Sequence, residues 1–228
     1  MPFAIIKANS RARFSEVLFN LANLESLEPD VLIEVPQEVK IQKGLYYVHL
    51  YAALEKSVNE VVEQAILLIK NEQVKNNKYN THFNVISLHS KMKSFKECSY
   101  KSYFKKSIDV FKSIESEECF EISNTLFSHN LQNIWFDTIQ EVLISFGIPA
   151  LVVDPRVQFT VNEIVDKRNA VAHGRESALF IGERHRMDIL RLKTNDIQLV
   201  IDMFIDSFES YILNHEYLKE NSRIASTQ

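Results

Sequence analysis

The residues in this sequence best suited to chemistry lie close together at Arg168, Asn169 and His173. Arginine presents a planar, permanently charged fork that binds phosphate oxygens in bidentate fashion. Histidine exchanges a proton near neutral pH, and an asparagine amide can orient an imidazole or a ribose hydroxyl. This combination of side chains is typical of a site that acts on a phosphodiester.

The spacing of these residues determines whether one chain can assemble such a site. Asn169 and His173 are four residues apart, so a helix stacks them on one flank. Arg168 and His173 are five residues apart, which separates them by about 140° around a helix and about 7.5 Å along it. One copy of the helix therefore does not bring the Arg168 and His173 side chains close together. A two-fold axis between two copies would let each arginine face the other chain's histidine. If two such helices met across a two-fold axis, the cleft would contain two Arg, two Asn and two His.

A single helix is predicted to carry all three residues. Thr160 is its predicted N-cap, and Glu163 completes a capping box. Phe159 precedes the cap and is placed to form a hydrophobic staple with the fourth residue of the helix. Gly174 supplies the left-handed residue that commonly ends a helix, so the predicted span is 161–173.

On this helix, Arg168 falls within an apolar face, which is formed by Val161, Ile164, Val165 and Ala172. A cation in such a position is costly unless it is paired. Glu55, at the edge of an earlier apolar stripe, is the candidate partner through an ion pair. The alternative is that Glu55 is an ordinary flanking surface carboxylate.

Around this helix the sequence predicts an all-α bundle. Only four glycines and five prolines occur, and residues 45–146 contain neither, which favours long helices. Apolar residues recur at steps of three and four over 44–71 and over 134–146, where Gly147 follows as a stop. A last helix is predicted to begin with Thr194 as its N-cap.

Residues 71–128 form a lysine-rich, weakly periodic stretch, which we interpret as an insertion with one or two short helices. Lys101, Lys105 and Lys106 are interleaved with aromatic residues. This pattern is compatible with contact with an RNA backbone and stacking on its bases. The favoured interpretation is a solvated insertion whose aromatic side chains pack inward.

The motif and two further segments resemble the HEPN superfamily. Residues 168–174 read RNAVAHG, which is similar to its signature of Arg, four to six residues and His, with a polar residue after the Arg. Residues 44–58 and 133–149 read GLYYVHLYAALEKSV and NIWFDTIQEVLISFGIP, and they resemble a prokaryotic HEPN subfamily. The resemblance implies one HEPN-like domain over residues 1–228, a helical bundle that dimerises with both motifs at the interface.

The same resemblance implies an activity, the cleavage of RNA without a metal ion or other cofactor. Attack by the ribose 2′-hydroxyl would leave a cyclic phosphate. Arg168 would bind the scissile phosphate, His173 would act as general base or acid, and Asn169 would orient them. Glu55 would support the arginine.

Many HEPN proteins are toxins or abortive-infection nucleases, so the resemblance also implies a toxin or defence role and an antitoxin or other inhibitory partner. Families silenced by adenylylation carry a tyrosine two residues after the histidine, where this chain has Arg175. That route of silencing is therefore not expected here. The alternative is a non-catalytic HEPN module that binds RNA, a nucleotide or a protein.

The composition excludes several other classes of protein. With 26 Lys and Arg against 30 Asp and Glu, the net charge of −4 excludes a basic coat over the whole surface. The two cysteines are too few for a disulfide framework, and no apolar run approaches membrane length, so we expect a cytoplasmic protein without a membrane segment.

A pattern of metal-dependent nucleases, Pro-Asp followed by Glu-x-Lys, is matched formally at residues 29–30 and 38–40. It requires adjacent strands of a mixed sheet. The strand signal is confined to residues 31–35 and 151–153, so this alternative is disfavoured.

Overall fold

The structure is a computed structural model that describes residues 2–29, 33–123, 125–128 and 130–226. Its α-helices are α1 (Ala4–Leu27), α2 (Gln37–Asn71), α3 (Thr81–Ser87), α4 (His89–Lys96), α5 (Tyr103–Ile114), α6 (Phe136–Phe146), α7 (Pro155–Ala172), α8 (Ala178–Gly182), α9 (Met187–Leu213) and α10 (Glu220–Ser226). Short 3₁₀ helices occupy Asn76–Lys78, Tyr100–Ser102 and Asn130–Gln132. The described residues contain no strand, only one isolated antiparallel bridge, so the predicted all-α class is confirmed.

Helix α2 is the centre of the bundle. Its buried side chains recur at steps of three and four along its 35 residues, and α1, α7, α8 and α9 pack against it. The predicted stripe over 44–71 is confirmed, but the helix begins earlier, at Gln37 directly after Pro36. Gly44, which the sequence suggested as the start, lies inside the helix.

Two glycines allow α8 to cross α2 at close range. A β-carbon on Gly44 would lie 2.0 Å from the carbonyl oxygen of Ala178, and one on Gly182 would lie 1.7 Å from that of Lys40. Both contacts are with backbone atoms, which cannot rotate away as a side chain can. Gly44 is therefore a packing requirement of the α2–α8 contact, and not a helix start.

Helix α9 also begins earlier than predicted. Its first residue is Met187, a position seven residues before the predicted cap at Thr194. Thr194 is fully buried within the helix, where its hydroxyl donates to the Leu190 carbonyl at 2.8 Å and lies 2.7 Å from the Tyr46 hydroxyl. A threonine satisfied in this way is compatible with a helix interior.

Helix α6 confirms the predicted stop. Gly147 follows it in the left-handed conformation with φ of 80°, and its amide donates to the Ile144 carbonyl at 2.9 Å. The helix begins at Phe136, two residues later than the apolar pattern suggested.

The segment 71–128 contains more structure than predicted, because three α-helices replace the one or two expected. A buried polar network holds them together. The Asn76 side-chain amide donates to the Ser113 carbonyl at 2.8 Å and to the Asn84 side-chain oxygen at 3.2 Å. The Ser87 hydroxyl donates to the Asn76 side-chain oxygen at 2.8 Å. Such a network orders a polar segment without any apolar periodicity.

The weak strand signals correspond to no described strand. Residues 151–153 are irregular, whereas residues 31–32 and Asp30 of the metal-nuclease pattern lie outside the described residues. Glu38 and Lys40 lie in the first two turns of α2. This half of the pattern is therefore helical, in contrast to the strand that such a metal site requires.

Replacing Gly182 by alanine is expected to destabilise the fold by about 2 kcal/mol or more, because its β-carbon would overlap the Lys40 carbonyl. Urea unfolding followed by circular dichroism measures the change. Leu45→Ala, at an exposed position on the facing helix α2, serves as the control and should change stability by less than about 0.5 kcal/mol. Equal midpoints for Gly182→Ala and the wild type would contradict the close α2–α8 contact.

Candidate active site

Helix α7 carries the motif and begins five residues before the predicted cap. Pro155 occupies its first turn, where a missing amide hydrogen leaves no helical bond unmade, and the Asp154 carboxylate accepts from the Arg156 amide at 2.7 Å. Thr160, the predicted N-cap, is buried inside the helix and donates to the Asp196 carboxylate at 2.9 Å. The predicted capping box is therefore wrong, since another start signal lies upstream.

The two other residues assigned to the helix start also have different roles. The Glu163 carboxylate forms an ion pair with the Lys193 ammonium on α9, and does not cap α7. Phe159 is 67% exposed, so the predicted staple is absent. The Glu163–Lys193 contact ties α7 to α9 and helps to fix the rotation of α7 about its axis.

The end of α7 agrees with the prediction to within one residue. Gly174 has φ of 67°; its amide donates to the Val171 carbonyl at 3.1 Å, while the Arg175 amide donates to the Ala170 carbonyl at 2.9 Å. This pair of hydrogen bonds is a Schellman motif. His173 therefore lies immediately before a tight turn, with its side chain exposed.

Arg168 lies on the inner flank of α7, against α2. Its side chain is only 16% exposed, and its guanidinium carbon lies 3.7 Å from the centre of the Tyr51 ring. It donates to the Asn169 side-chain oxygen at 2.6 Å and to the Gln132 carbonyl at 3.5 Å. The Glu55 carboxylate lies 3.7 Å from it. The ring, the carboxylate and the two oxygens together compensate the desolvation of this cation.

Tyr51 is a functional candidate that the sequence analysis missed. Its hydroxyl donates to the Gln132 carbonyl at 3.2 Å and accepts from the Ile134 amide at 3.2 Å, so the ring is fixed beneath Arg168. Burial raises the pKa of the Tyr51 hydroxyl, which keeps it neutral. Its position four residues before Glu55 places both on one face of α2, a signal that is too common in helices to identify a site.

Arg168 and His173 are not brought together within one chain. His173 and Asp166 are exposed on the outer flank of α7, whereas Asn162 and Asn169, at steps of three and four residues in the same row, are half-buried at its edge. Within the described ranges, no hydrogen bond or ion pair engages the His173 side chain. One chain thus groups Arg168 with Asn169 and Glu55 and leaves His173 on the surface.

The surface around His173 carries a second cation and an open groove. Arg175 folds back along α7, with its guanidinium 3.3 Å from the Asp166 carboxylate. Further along α7, Trp135 and Phe159 border a shallow groove of about 420 Å³. The outer flank of α7 is therefore an open surface with charged, amide and aromatic side chains.

The lysines predicted to contact RNA lie outside this cluster, on α5 and the turn before it. Lys101 and Lys105 are exposed. Lys106 is half-buried, and its ammonium donates to the Ser94 hydroxyl on α4 at 3.0 Å, so it belongs to the α4–α5 contact. The aromatic residues beside these lysines are largely exposed, which contradicts the favoured interpretation of an inward-packed insertion.

Among the residues that the structure describes, no group of three His, Cys, Asp or Glu side chains is arranged to hold a metal ion. Cys98 and Cys119 are both free thiols. No helix within those same ranges has both the length and the apolar character needed to cross a bilayer.

Comparison with known proteins identifies a family whose sequence model covers most of the chain. The sequence model of the family described as RiboL-PSP-HEPN matches residues 8–210, which include the motif on α7 and the Tyr51 and Glu55 positions on α2. The resemblance to the HEPN superfamily is thereby confirmed. No curated protein and no solved structure matches the chain.

Replacing Arg168 by glutamine is expected to raise the pKa of Glu55 further. Burial already raises this pKa, and the positive charge of Arg168 opposes the increase. Titration of the Glu55 side-chain carboxyl by ¹³C NMR measures the change. Arg175→Gln serves as the control, because Arg175 contacts Asp166 and should leave the Glu55 titration unchanged. An identical Glu55 titration in Arg168→Gln and wild type would contradict the ion pair.

Proposed function

The chain belongs to the RiboL-PSP-HEPN family, and from this premise we propose that it is a metal-independent endoribonuclease that acts as a two-fold homodimer. Its substrate is RNA. The proposal extends to a role as a toxin or defence effector in the cytoplasm, restrained by an antitoxin or another inhibitory protein.

The observation that carries this proposal is the division of the motif between two flanks of α7. Arg168 is oriented on the inner flank by Tyr51, Glu55 and Asn169. His173 lies exposed near the end of the outer flank. A second copy related by a two-fold axis supplies the histidine that each arginine lacks, and the pairing is reciprocal.

The chemistry follows from the groups that such a dimer brings together. The Arg168 guanidinium binds the scissile phosphate and stabilises the charge that develops on its oxygens. The His173 imidazole of one protomer accepts the proton of the 2′-hydroxyl, whose oxygen then attacks phosphorus. The imidazolium so formed donates a proton to the departing 5′-oxygen. The products are a 2′,3′-cyclic phosphate and a 5′-hydroxyl, and the Asn169 amide orients Arg168.

A second candidate function is a non-catalytic module that binds RNA or a nucleotide. One observation favours it: the Arg168 guanidinium already has an aromatic, a carboxylate and an amide partner within its own chain. An arginine with these partners can have a purely structural role. The two candidates differ in turnover, because only the nuclease produces new RNA ends.

Replacing His173 by alanine is expected to lower the rate of RNA cleavage by about 10²- to 10⁴-fold, because it removes the general acid–base group. Incubation with total RNA in excess chelator, followed by analysis of the 3′ ends, measures the loss of cyclic phosphate. The dimer should persist in this variant. His89→Ala, at an exposed histidine on α4, is the matched control and should cleave at the wild-type rate. Equal cleavage by His173→Ala and wild type would exclude His173 from catalysis.

Mixing two inactive variants tests whether the site is shared between protomers. Arg168→Lys keeps the charge and loses the bidentate fork, so it should impair cleavage with less damage to the interface than Arg168→Ala. When Arg168→Lys and His173→Ala are co-expressed, half of the dimers are mixed and one of their two sites is intact. The mixture should recover about a quarter of wild-type activity. No recovery, with mixed dimers detected by mass spectrometry, would contradict a site composed of both chains.

A further inference from the structure

We propose that α5 and the turn before it form a second, separate binding surface for single-stranded RNA, an inference that rests on the proposed nuclease function. The surface is defined by an apolar row, Tyr100, Phe104, Ile108 and Phe111, which we call the α5 stripe. Phe104, Ile108 and Phe111 follow one another at steps of four and three, so they share one face of α5, and Tyr100 lies in the 3₁₀ turn before it. In chain order, the four residues of the stripe are 88%, 72%, 53% and 70% exposed.

The orientation of α5 is fixed by contacts on its opposite side. The Ser113 carbonyl accepts from the buried Asn76 side chain at 2.8 Å, which ties α5 to the 3₁₀ turn after α2. The Tyr103 ring lies 5.1 Å from the Phe95 ring of α4, and the Lys106 ammonium donates to the Ser94 hydroxyl at 3.0 Å. Because these contacts hold the inner face, the stripe cannot turn inward.

A row of lysines runs beside the stripe. Lys101 lies in the turn, and Lys105 and Lys112 are displaced from Phe104 and Phe111 by about 80–120° around the helix axis. In the described part of the chain, none of these three lysines forms an ion pair. Asp109, the carboxylate within α5, is instead held by Lys91 at 3.1 Å. The lysine row is therefore free to bind anions.

Two of the acidic residues that follow α5 are also engaged elsewhere. Glu117 pairs with Lys75 at 2.8 Å, and Glu121 lies 3.6 Å from Lys70, both beyond the stripe. Glu115 is exposed at the carboxyl end of α5 and has no ion-pair partner among the described residues. It marks the end of the proposed surface, since a phosphate would be repelled there.

Exposed aromatic rings beside unpaired cations are complementary to the bases and the phosphates of a nucleic-acid strand. Rings stack on bases without regard to sequence, and lysines follow the phosphates. Phe104 and Phe111 are separated by about 10.5 Å along the helix axis, which is about the length of three stacked nucleotides. A duplex hides its base faces, so the surface selects unpaired RNA.

Binding to a 12-nucleotide single-stranded RNA, labelled with fluorescein and carrying 2′-O-methyl groups, tests the proposal. This probe cannot be cleaved by 2′-hydroxyl attack, so binding is measured by anisotropy independently of any catalysis. Phe104→Ala with Phe111→Ala is expected to weaken affinity about tenfold or more. Lys105→Glu with Lys112→Glu is expected to weaken it and to reduce the slope of log affinity against log salt by about 1.4.

Matched controls come from α1, which carries an exposed aromatic and an exposed cation on its solvent face. Phe19→Ala with Arg11→Glu should bind the probe as wild type does. His173→Ala should also bind normally, which separates this proposal from the catalytic one: lost cleavage with retained stripe-dependent binding supports it. All stripe variants should keep the wild-type melting temperature.

Two results would overturn the proposal. The first is failure of the wild-type protein to bind the probe. The second is equal affinity of wild type and both stripe variants. If the stripe variants instead lower the oligomeric mass with unchanged RNA affinity, the stripe is a protein-docking face and the RNA assignment is wrong.

Discussion

The stacking of Arg168 on Tyr51 is the constraint on which the rest of the site depends. A guanidinium that is mostly removed from water must find partners, and here α2 supplies the ring of Tyr51 and the carboxylate of Glu55. The Tyr51 hydroxyl is bonded in turn to the backbone at Gln132 and Ile134. The segment before α6, the central helix and the motif helix are thereby locked into one arrangement.

These contacts determine which side of α7 is exposed to other molecules. Contacts with α9, namely Thr160 to Asp196 and Glu163 to Lys193, hold the helix from a second side. The rotation of α7 about its axis is fixed by these contacts, so the outer flank with His173 faces solvent. Rigid support of this kind is what a reactive group needs when it must meet a partner group with sub-ångström accuracy.

The sequence predicted those features that depend on neighbouring residues. The apolar stripe of α2, the stop at Gly147 and the turn at Gly174 all follow from local spacing or from a single glycine. It misplaced the helix starts because Thr160 and Thr194 resemble caps yet are satisfied by buried tertiary partners. Similarly, the role of Tyr51 depends on which helix lies across from it, and one sequence does not contain that information.

Lys105 and Lys106 show the same limit of prediction from sequence. Their contrast also explains why the outer face of α5 is exposed. Neighbouring lysines look alike in sequence, yet Lys106 joins α5 to α4 while Lys105 is left on the outside. The polar contacts of Asn76 and Ser113 satisfy the inner face of α5, so its aromatic residues are left in water at a cost in hydration free energy. On the two proposals, the rings and unpaired lysines of α5 would hold an RNA strand and the Arg168 cluster would take part in its cleavage. Substrate affinity and catalytic rate would then depend on different helices.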